Sequence, residues 1–355
     1  MSASSSVQRC AVVGVGARTP LGLSAPAATA AVYAGISANA RHAFMLDQVA
    51  APIVVCADAL LDPGVAIADR LMTMAASAAL EAAQVLSDTG VEPGELPLVL
   101  ALPEERPGLE ASAGHHVEQA VRLALASQGL SLSPAVCYHS GHAGGVLALQ
   151  DGVRRIATGQ ADHCLVGGVD SWLVPETLEW LDAQERLHSD TCIWGFCPGE
   201  AAGFCLLASP SSPLLSRRPV LLDILGLATA RESKTANAGG VCIGEGLTAA
   251  FQGALSGLAD GQRVAHTVCD MNGEVWRADE YGFAVLRTTE HFTDKADYDA
   301  PATNWGDVGA ASVPLLLGLV ATAARSPYAR GPRTLVASSS PSDLRGAVLV
   351  EAQIA

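Results

Sequence analysis

Two apolar periods alternate along the chain. Helical spacing marks Asp69–Leu86, with Leu71, Ala75, Ala79 and Ala82 on one face, and predicts an amphipathic helix. The same period predicts helices over His115–Gly129, ended by glycine, and over Val146–Gly159, with Val146, Leu149, Val153 and Ile156 on one face. Short apolar runs bounded by turn residues predict buried strands: "CAVVGV" from Cys10, Leu96–Glu104 and "HCLVGGV" from His163. The pattern then restarts. "GFCLLAS" (Gly203–Ser209), "VLLDILGLATA" (Val220–Ala230), "RVAHTVC" (Arg263–Cys269), "TLVASSS" (Thr334–Ser340) and "GAVLVEA" (Gly346–Ala352) read as strands. "GLTAAFQGALSGL" and "SVPLLLGLVATAA" read as helices. Strand and helix alternate in both halves, which predicts an α/β protein of two similar lobes, each a mixed sheet covered by helices. The boundary is read at residues 195 and 196, giving lobes 1–195 and 196–355.

Composition supports strands buried on both faces. Of 355 residues, half are hydrophobic and 16% are charged. The formal net charge of −15 argues against nucleic acid and anionic membrane as partners, because both attract basic surfaces. The basic pairs Arg154–Arg155 and Arg217–Arg218 are too short for a nucleic-acid stripe. Nine scattered cysteines with no CxxC pair read as reduced, buried small hydrophobes of a cytoplasmic protein. The polar start "MSASSSVQRC" lacks the pattern of a signal peptide. Val313–Ala324 is apolar but too short to span a bilayer, and reads as a buried helix. Gly14 and Gly16 suggest a dinucleotide fingerprint, but Thr19 stands at the third glycine and Pro20 follows, so a strand and tight turn is the simpler reading.

Five motifs in order resemble the β-ketoacyl synthase branch of the thiolase superfamily. "VVGVGARTPLG" is similar to its opening strand and turn, and Asp69–Arg70 to the start of a helix placed there. "VLALQDGVRRIATGQADHCLVGGVDS" resembles its nucleophile helix and following strand. "FCPGEAAGFCLL" (Phe196–Leu207) resembles its G-E-G-A-G junction, and "NWGDVGAASVPLLLGLVATA" (Asn304–Ala323) its N-I-G-H-x-E-A-A-A-G helix start. The resemblance implies a thiolase-like fold, two lobes with a mixed five-stranded sheet each, layered α-β-α-β-α. It also implies Cys-His-His chemistry. The cysteine takes the acyl group as a thioester, and the histidines activate the malonyl thioester and stabilise the enolate. The three positions fall on His142, Asp270 and Asp307. At Asp270, in "DMNGE", a shifted loop would bring in His266 instead. "SSPSDLRG" (Ser339–Gly346) replaces the family's G-F-G-G-T-N loop. Asn272 and Glu274 replace the threonines of its pantetheine channel, and Phe196 falls in the ligand-binding set.

This residue set does not suit condensation. An acyl-imidazole reacts with water and is a poor store for a growing chain. Carboxylates repel a malonyl carboxylate and a forming enolate, where hydrogen-bond donors are needed. Loss of a nucleophile costs on the order of 10⁶ in kcat in well-studied hydrolases. Three readings remain open. His142 with Asp270 or Asp307 forms an acid–base pair for acyl transfer or thioester hydrolysis, although no serine or cysteine is placed as nucleophile. His139, His142, Asp270 and Asp307 hold a divalent metal. Or His142 is a satisfied interior histidine paired with an aspartate in a site that no longer reacts. The third is adopted, with no cofactor and no metal.

The resemblance then implies a partner or accessory role. In some polyketide systems a ketosynthase pairs with a homologue lacking the cysteine. Degenerate thiolase-like proteins also occur beside type VI secretion effector genes, which this compact chain resembles. Expected partners are a second copy or a ketosynthase-like homologue, through Ser131–His139, and an effector or acyl carrier protein. The remaining features have plain readings. Gly195–Gly203 is a turn between lobes, Trp172, Trp180 and Trp194 pack a cap or interface, Asp279–Glu280 is a solvated loop, and His115–His116 starts a helix.

Overall fold

The computed structural model describes residues 10–109, 112–235 and 241–354. The first part of the chain forms β1 (Cys10–Arg18), α1 (Ala25–Tyr33), β2 (Ala40–Leu46), β3 (Pro52–Val55) and α2 (Ile67–Thr89). There follow β4 (Glu95–Leu96), β5 (Leu98–Leu102), α3 (Ala113–Ala126), β6 (Ser131–Leu132), β7 (Val136–His139), α4 (Gly144–Ala157), β8 (His163–Ser171), α5 (Pro175–Ala183) and β9 (Glu200–Ala208). The remainder forms α6 (Leu214–Arg217), β10 (Leu222–Arg231), α7 (Glu245–Leu255), β11 (His266–Cys269), α8 (Val275–Arg287) and β12 (Tyr298–Asp299). It ends in α9 (Ala302–Trp305), α10 (Ser312–Ala323), β13 (Arg333–Ser339) and β14 (Leu344–Ala352).

Ten strands run in the order β12-β11-β13-β14-β10-β1-β9-β8-β5-β7. The order is two copies of one pattern placed back to back. Three parallel strands, β7-β5-β8, lead through antiparallel β9 to β1. Likewise β12-β11-β13 lead through antiparallel β14 to β10. The copies meet where β1 and β10 pair at three positions, Cys10–Val12 with Leu222–Ile224. This is the α/β architecture that the sequence pattern predicts, with the two mixed five-stranded sets that the resemblance implies. Strand β9, on the C-terminal side of the boundary read at residues 195 and 196, pairs with β1 and β8. The passage to the second set therefore falls between Ala208 and Leu222.

Alternation along each strand sets the layers. Leu98, Leu100 and Leu102 of β5 face an outer core with α2 and α3, while Val99 and Ala101 face the centre. In the second set, Leu335 and Ala337 of β13 face α7 and α8, and Val336 faces the centre. Helices α4 and α10 fill that centre and are covered on both sides, giving five layers, α-β-α-β-α. Eleven of the twelve α10 residues are buried, as its all-round apolar sequence requires. No helix among the described residues is long and apolar enough to cross a membrane. Gly14 and Gly16 lie inside β1, where a Cβ would come within 2.1 Å of Ala82 O and 2.0 Å of Ala78 O. Their small size lets α2 sit directly on the strand.

Asp279–Glu280 is corrected from a solvated loop to the middle of α8. Glu280 is fully buried and takes a two-pronged salt bridge from Arg345 on β14, at 2.6 Å and 2.5 Å. The remaining Arg345 amine donates to the carbonyls of Ser340, Ser342 and Leu344. Residues 200–203, read as turn, are instead the start of β9. Glu280→Ala leaves a buried guanidinium without its counter-charge. It should cost about 3–5 kcal/mol in a urea unfolding curve, whereas a surface carboxylate such as Glu290 should change little on replacement.

Candidate functional site

His142 follows the turn after β7 and stands two residues ahead of α4. It is 1% exposed. Its Nε2 lies 2.7 and 2.9 Å from the two carboxylate oxygens of Asp307, in the loop before α10. Arg277 of α8 brings Nη2 to 3.2 Å from the same nitrogen. A guanidinium only donates, so the Nε2 hydrogen goes to Asp307 and the arginine contact places one donor beside another. Nδ1 has no partner. Both nitrogens are thus held away from any substrate, one by a carboxylate and one by burial.

Asp307 is the hub. Trp172 Nε1 and the Gly309 amide donate to Oδ1, both at 2.9 Å, and Asn272 Nδ2 donates to Oδ2 at 2.6 Å. Burial works against its charge. His142, Arg277 and the Gly309 amide outweigh burial and hold the carboxyl far below its ordinary value. Glu274 is shifted the same way, with burial opposed by Arg186 and Arg277. Arg186 Nε meets Glu274 at 2.7 Å, and Asn272 bridges Glu274 to Asp307.

Asp270 follows β11 and completes the ring. Arg277 Nη1 donates to its Oδ2 at 3.0 Å, as do Ser338 Oγ at 2.7 Å and the Ser339 amide at 2.9 Å. Burial disfavours the Arg277 charge, but Asp270, Asp307, Glu274 and Glu280 together raise its pKa above the usual value. At the head of α4 the Ala143 amide donates to Ser340 Oγ at 3.0 Å, and Ser340 donates to Ser140 O. One of the donors that a negative oxygen would seek at a helix start is therefore used within the protein. A cavity of about 10 Å³ remains beside His142, Cys269, Asp270 and Asp307, room for no more than one water.

The structure brings His142, Asp270, Asp307, Asn272 and Glu274 into one network, with Asn272 and Glu274 turned to partners within it. Phe196 is fully buried, edge-on to Trp172. His266 sits at the start of β11 and pairs with Asp299 at 3.0 Å, away from this network. His139 is exposed, with its ring beside Gly114, and does not join His142. The described residues bring metal-type ligand atoms together at Glu232, Cys242 and Glu280, where Arg345 already occupies both Glu280 oxygens. Cys269 lines the small cavity, but burial pushes its thiol up to about 12, so it offers no ready thiolate. Sequence reading passed over Arg277, the cation that organises the site. The signal was a lone arginine one turn into an amphipathic stretch directly after "DMNGE".

Residues 121–212 match the family model of the β-ketoacyl synthase N-terminal domain. A curated relative, 6-methylsalicylic acid synthase of Penicillium expansum, is 31% identical over 111 residues, which is 29% of this chain and 6% of that protein's length. Solved structures align along nearly the whole chain. A type II PKS acyl-carrier protein in complex with its ketosynthase bound to the hexaketide matches with a TM-score of 0.78 and 15% identity, covering 98% of this chain and 99% of that one. The ishigamide ketosynthase/chain length factor matches with a TM-score of 0.71 and 20% identity, over 97% and 99%. The ketosynthase from module 6 of the bacillaene synthase of Bacillus subtilis 168 matches at 0.72 and 13%, over 97% and 72%. The chain has the thiolase-like fold of the ketosynthases.

The lowered pKa of Asp307 sets a pH dependence. A carboxyl depressed in the folded state stabilises the fold above its unfolded value, ordinarily 3.8, and loses that contribution as pH falls below it. Asp307→Asn should lower stability by about 3–5 kcal/mol at neutral pH by leaving Arg277 undercompensated. The gap between wild type and variant should narrow once the pH drops below about 4. Thermal melts of both proteins across pH 2.5–8 check this, and a gap that stays constant into acid would contradict it.

Proposed function

We propose that this protein is a ketosynthase-like chain without condensing activity that works as the partner subunit of a ketosynthase-like protein. The observation that carries this reading is the sealing of His142. An acyl chain needs a nucleophile, a free donor for the developing oxyanion and a channel. At the head of α4 the imidazole is bound to Asp307, the Ala143 amide is bound to Ser340, and about 10 Å³ of space remains. The acyl-transfer reading asks His142 to act as a base toward a substrate, but Nε2 is engaged and Nδ1 is enclosed.

Two features support the partner role. The solved neighbours include a ketosynthase/chain length factor, a fold relative matched over 97% of this chain. Strand β7 ends the sheet, is half-exposed along Val136–Tyr138 and exposed at His139, and so presents an edge for a second chain. The partner is a second copy or an active homologue. The fold neighbours favour this over the accessory role beside a secreted effector, which rests on the sequence resemblance. A cytoplasmic setting, with carrier-bound acyl groups near the partner, belongs to the same reading.

Incubation with acyl- and malonyl-carrier thioesters should leave the intact mass unchanged and yield no product. Acylation or turnover that disappears in His142→Ala would overturn the proposal. His142→Cys by itself should also stay unacylated, because the new thiol faces Asp307 and Arg277 in a space too small for a thioester. In sedimentation at micromolar concentration, the chain should run as a homodimer, or as a heterodimer with a co-expressed ketosynthase; a lone monomer in both cases counts against the partner role.

A further inference from the structure

Cys56 and Cys197 are 141 residues apart in sequence, yet their sulfurs lie 3.6 Å apart. Cys56 directly follows β3 and is fully buried. Cys197 lies just before β9 and is half-buried. The backbone fixes their approach. The Cys56 amide donates to Pro198 O at 2.8 Å, and Cys56 pairs in parallel with Gly199. The thiols are directed at oxygens: Cys56 Sγ donates to Asn39 Oδ1 at 3.0 Å, and Cys197 Sγ faces Val54 O at 3.6 Å. Either sulfur can also donate to the other across the gap between them.

The same segment cradles the site. Cys197 O accepts the Asp307 amide at 2.8 Å, and the Gly199 amide donates to Asp307 O at 2.8 Å. Phe196, beside Cys197, packs on Trp172, which in turn bonds Asp307. A bond between the sulfurs would fasten the β2–β3 hairpin to the strand that holds the hub of the network.

We propose that Cys56 and Cys197 are a modification site, a dithiol that closes to a disulfide when the protein meets hydrogen peroxide. The half-buried Cys197 meets the oxidant. Its sulfur bonds to one peroxide oxygen, the O–O bond breaks, and the departing oxygen takes the thiol hydrogen and leaves as water. The Cys56 sulfur then attacks the Cys197 sulfur. The S–S bond forms, the S–O bond breaks, and the departing hydroxide takes the Cys56 hydrogen as a second water. Two thiols are oxidised and one peroxide is reduced to two waters. The sulfurs must close from 3.6 Å to a bond of about 2 Å, a shift that the half-buried Cys197 segment can make. Cys56 is fully buried and Cys197 only half-buried, so the oxidant reaches Cys197 first and Cys56 takes the second, resolving step.

The test treats the full chain with hydrogen peroxide, blocks remaining thiols with N-ethylmaleimide and maps peptides without reduction. The expected result is a linked Cys56–Cys197 peptide pair, two hydrogens lighter than the separate peptides and released by dithiothreitol. Cys197→Ser and Cys56→Ala should lack it. The oxidised wild type should melt roughly 5 °C or more above the reduced form, because the bond closes a long loop, and peroxide should leave the melting of Cys197→Ser unchanged. Conversion of Cys197 to a sulfinic acid, its linkage to nearby Cys192, or a Cys56 that stays open to the alkylating agent after denaturation would overturn the proposal.

Discussion

A buried carboxylate without compensation would be too costly for this fold to hold, and Asp307 is buried at its centre. Water cannot solvate it, so protein groups must. They come from elements distant in sequence: His142 ahead of α4, Trp172 after β8, Asn272 after β11, Arg277 on α8 and the Gly309 amide beside α10. The need to neutralise one oxygen pair thus draws both five-stranded sets onto the same point. Arg277 repeats the constraint in the opposite sign, with Asp270 and Glu274 added to Asp307.

The network also engages polar groups at the head of α4. The imidazole answers a carboxylate, the helix-head amide answers a serine hydroxyl, and the space a substrate would enter is taken by a guanidinium and its partners. Two further buried pairs, Arg106 with Asp170 and Arg70 with Glu200, brace the first set of strands in the same manner. Gly309 shows how tight the bracing is. It holds φ +49, and a Cβ there would fall 1.9 Å from Asp170 Oδ2. A site built this way is held rigid by charge compensation and close packing together.

The dithiol lies next to the same hub. Cys197 sits on the segment that exchanges backbone hydrogen bonds with Asp307, and the Cys56 amide bonds to Pro198 of that segment, so a bond between the sulfurs would act on the network without touching its charges. Stiffness there would depend on covalent state as well as on ion pairing.

Much of the layering was legible in the sequence. Helices α2 and α4 show a clear period because each buries one face, and β5, β8, β9 and α10 read as continuous apolar runs because they are buried on all sides. The order of motifs carried the fold for the same reason. Other features were illegible on physical grounds. The α8 segment carries Arg277, Asp279 and Glu280 and reads as polar loop, because the buried Glu280 is answered by Arg345, 65 residues later, and the buried Arg277 by carboxylates outside the helix. The β2–β3 hairpin has exposed apolar residues, Phe44, Leu46 and Val49, and so shows no clean alternation. Pairing alone assigns β9 to the first set of strands, beside β1 and β8. By itself, then, the sequence determined which segments are inside, in what order they alternate, and that an imidazole and acids occupy the head of the central helix and the loops facing it. Only the tertiary structure decided that these groups neutralise one another, because compensation of a buried charge depends on distance in space, and residues as far apart as His142, Arg277 and Asp307 acquire that distance only when the chain has folded.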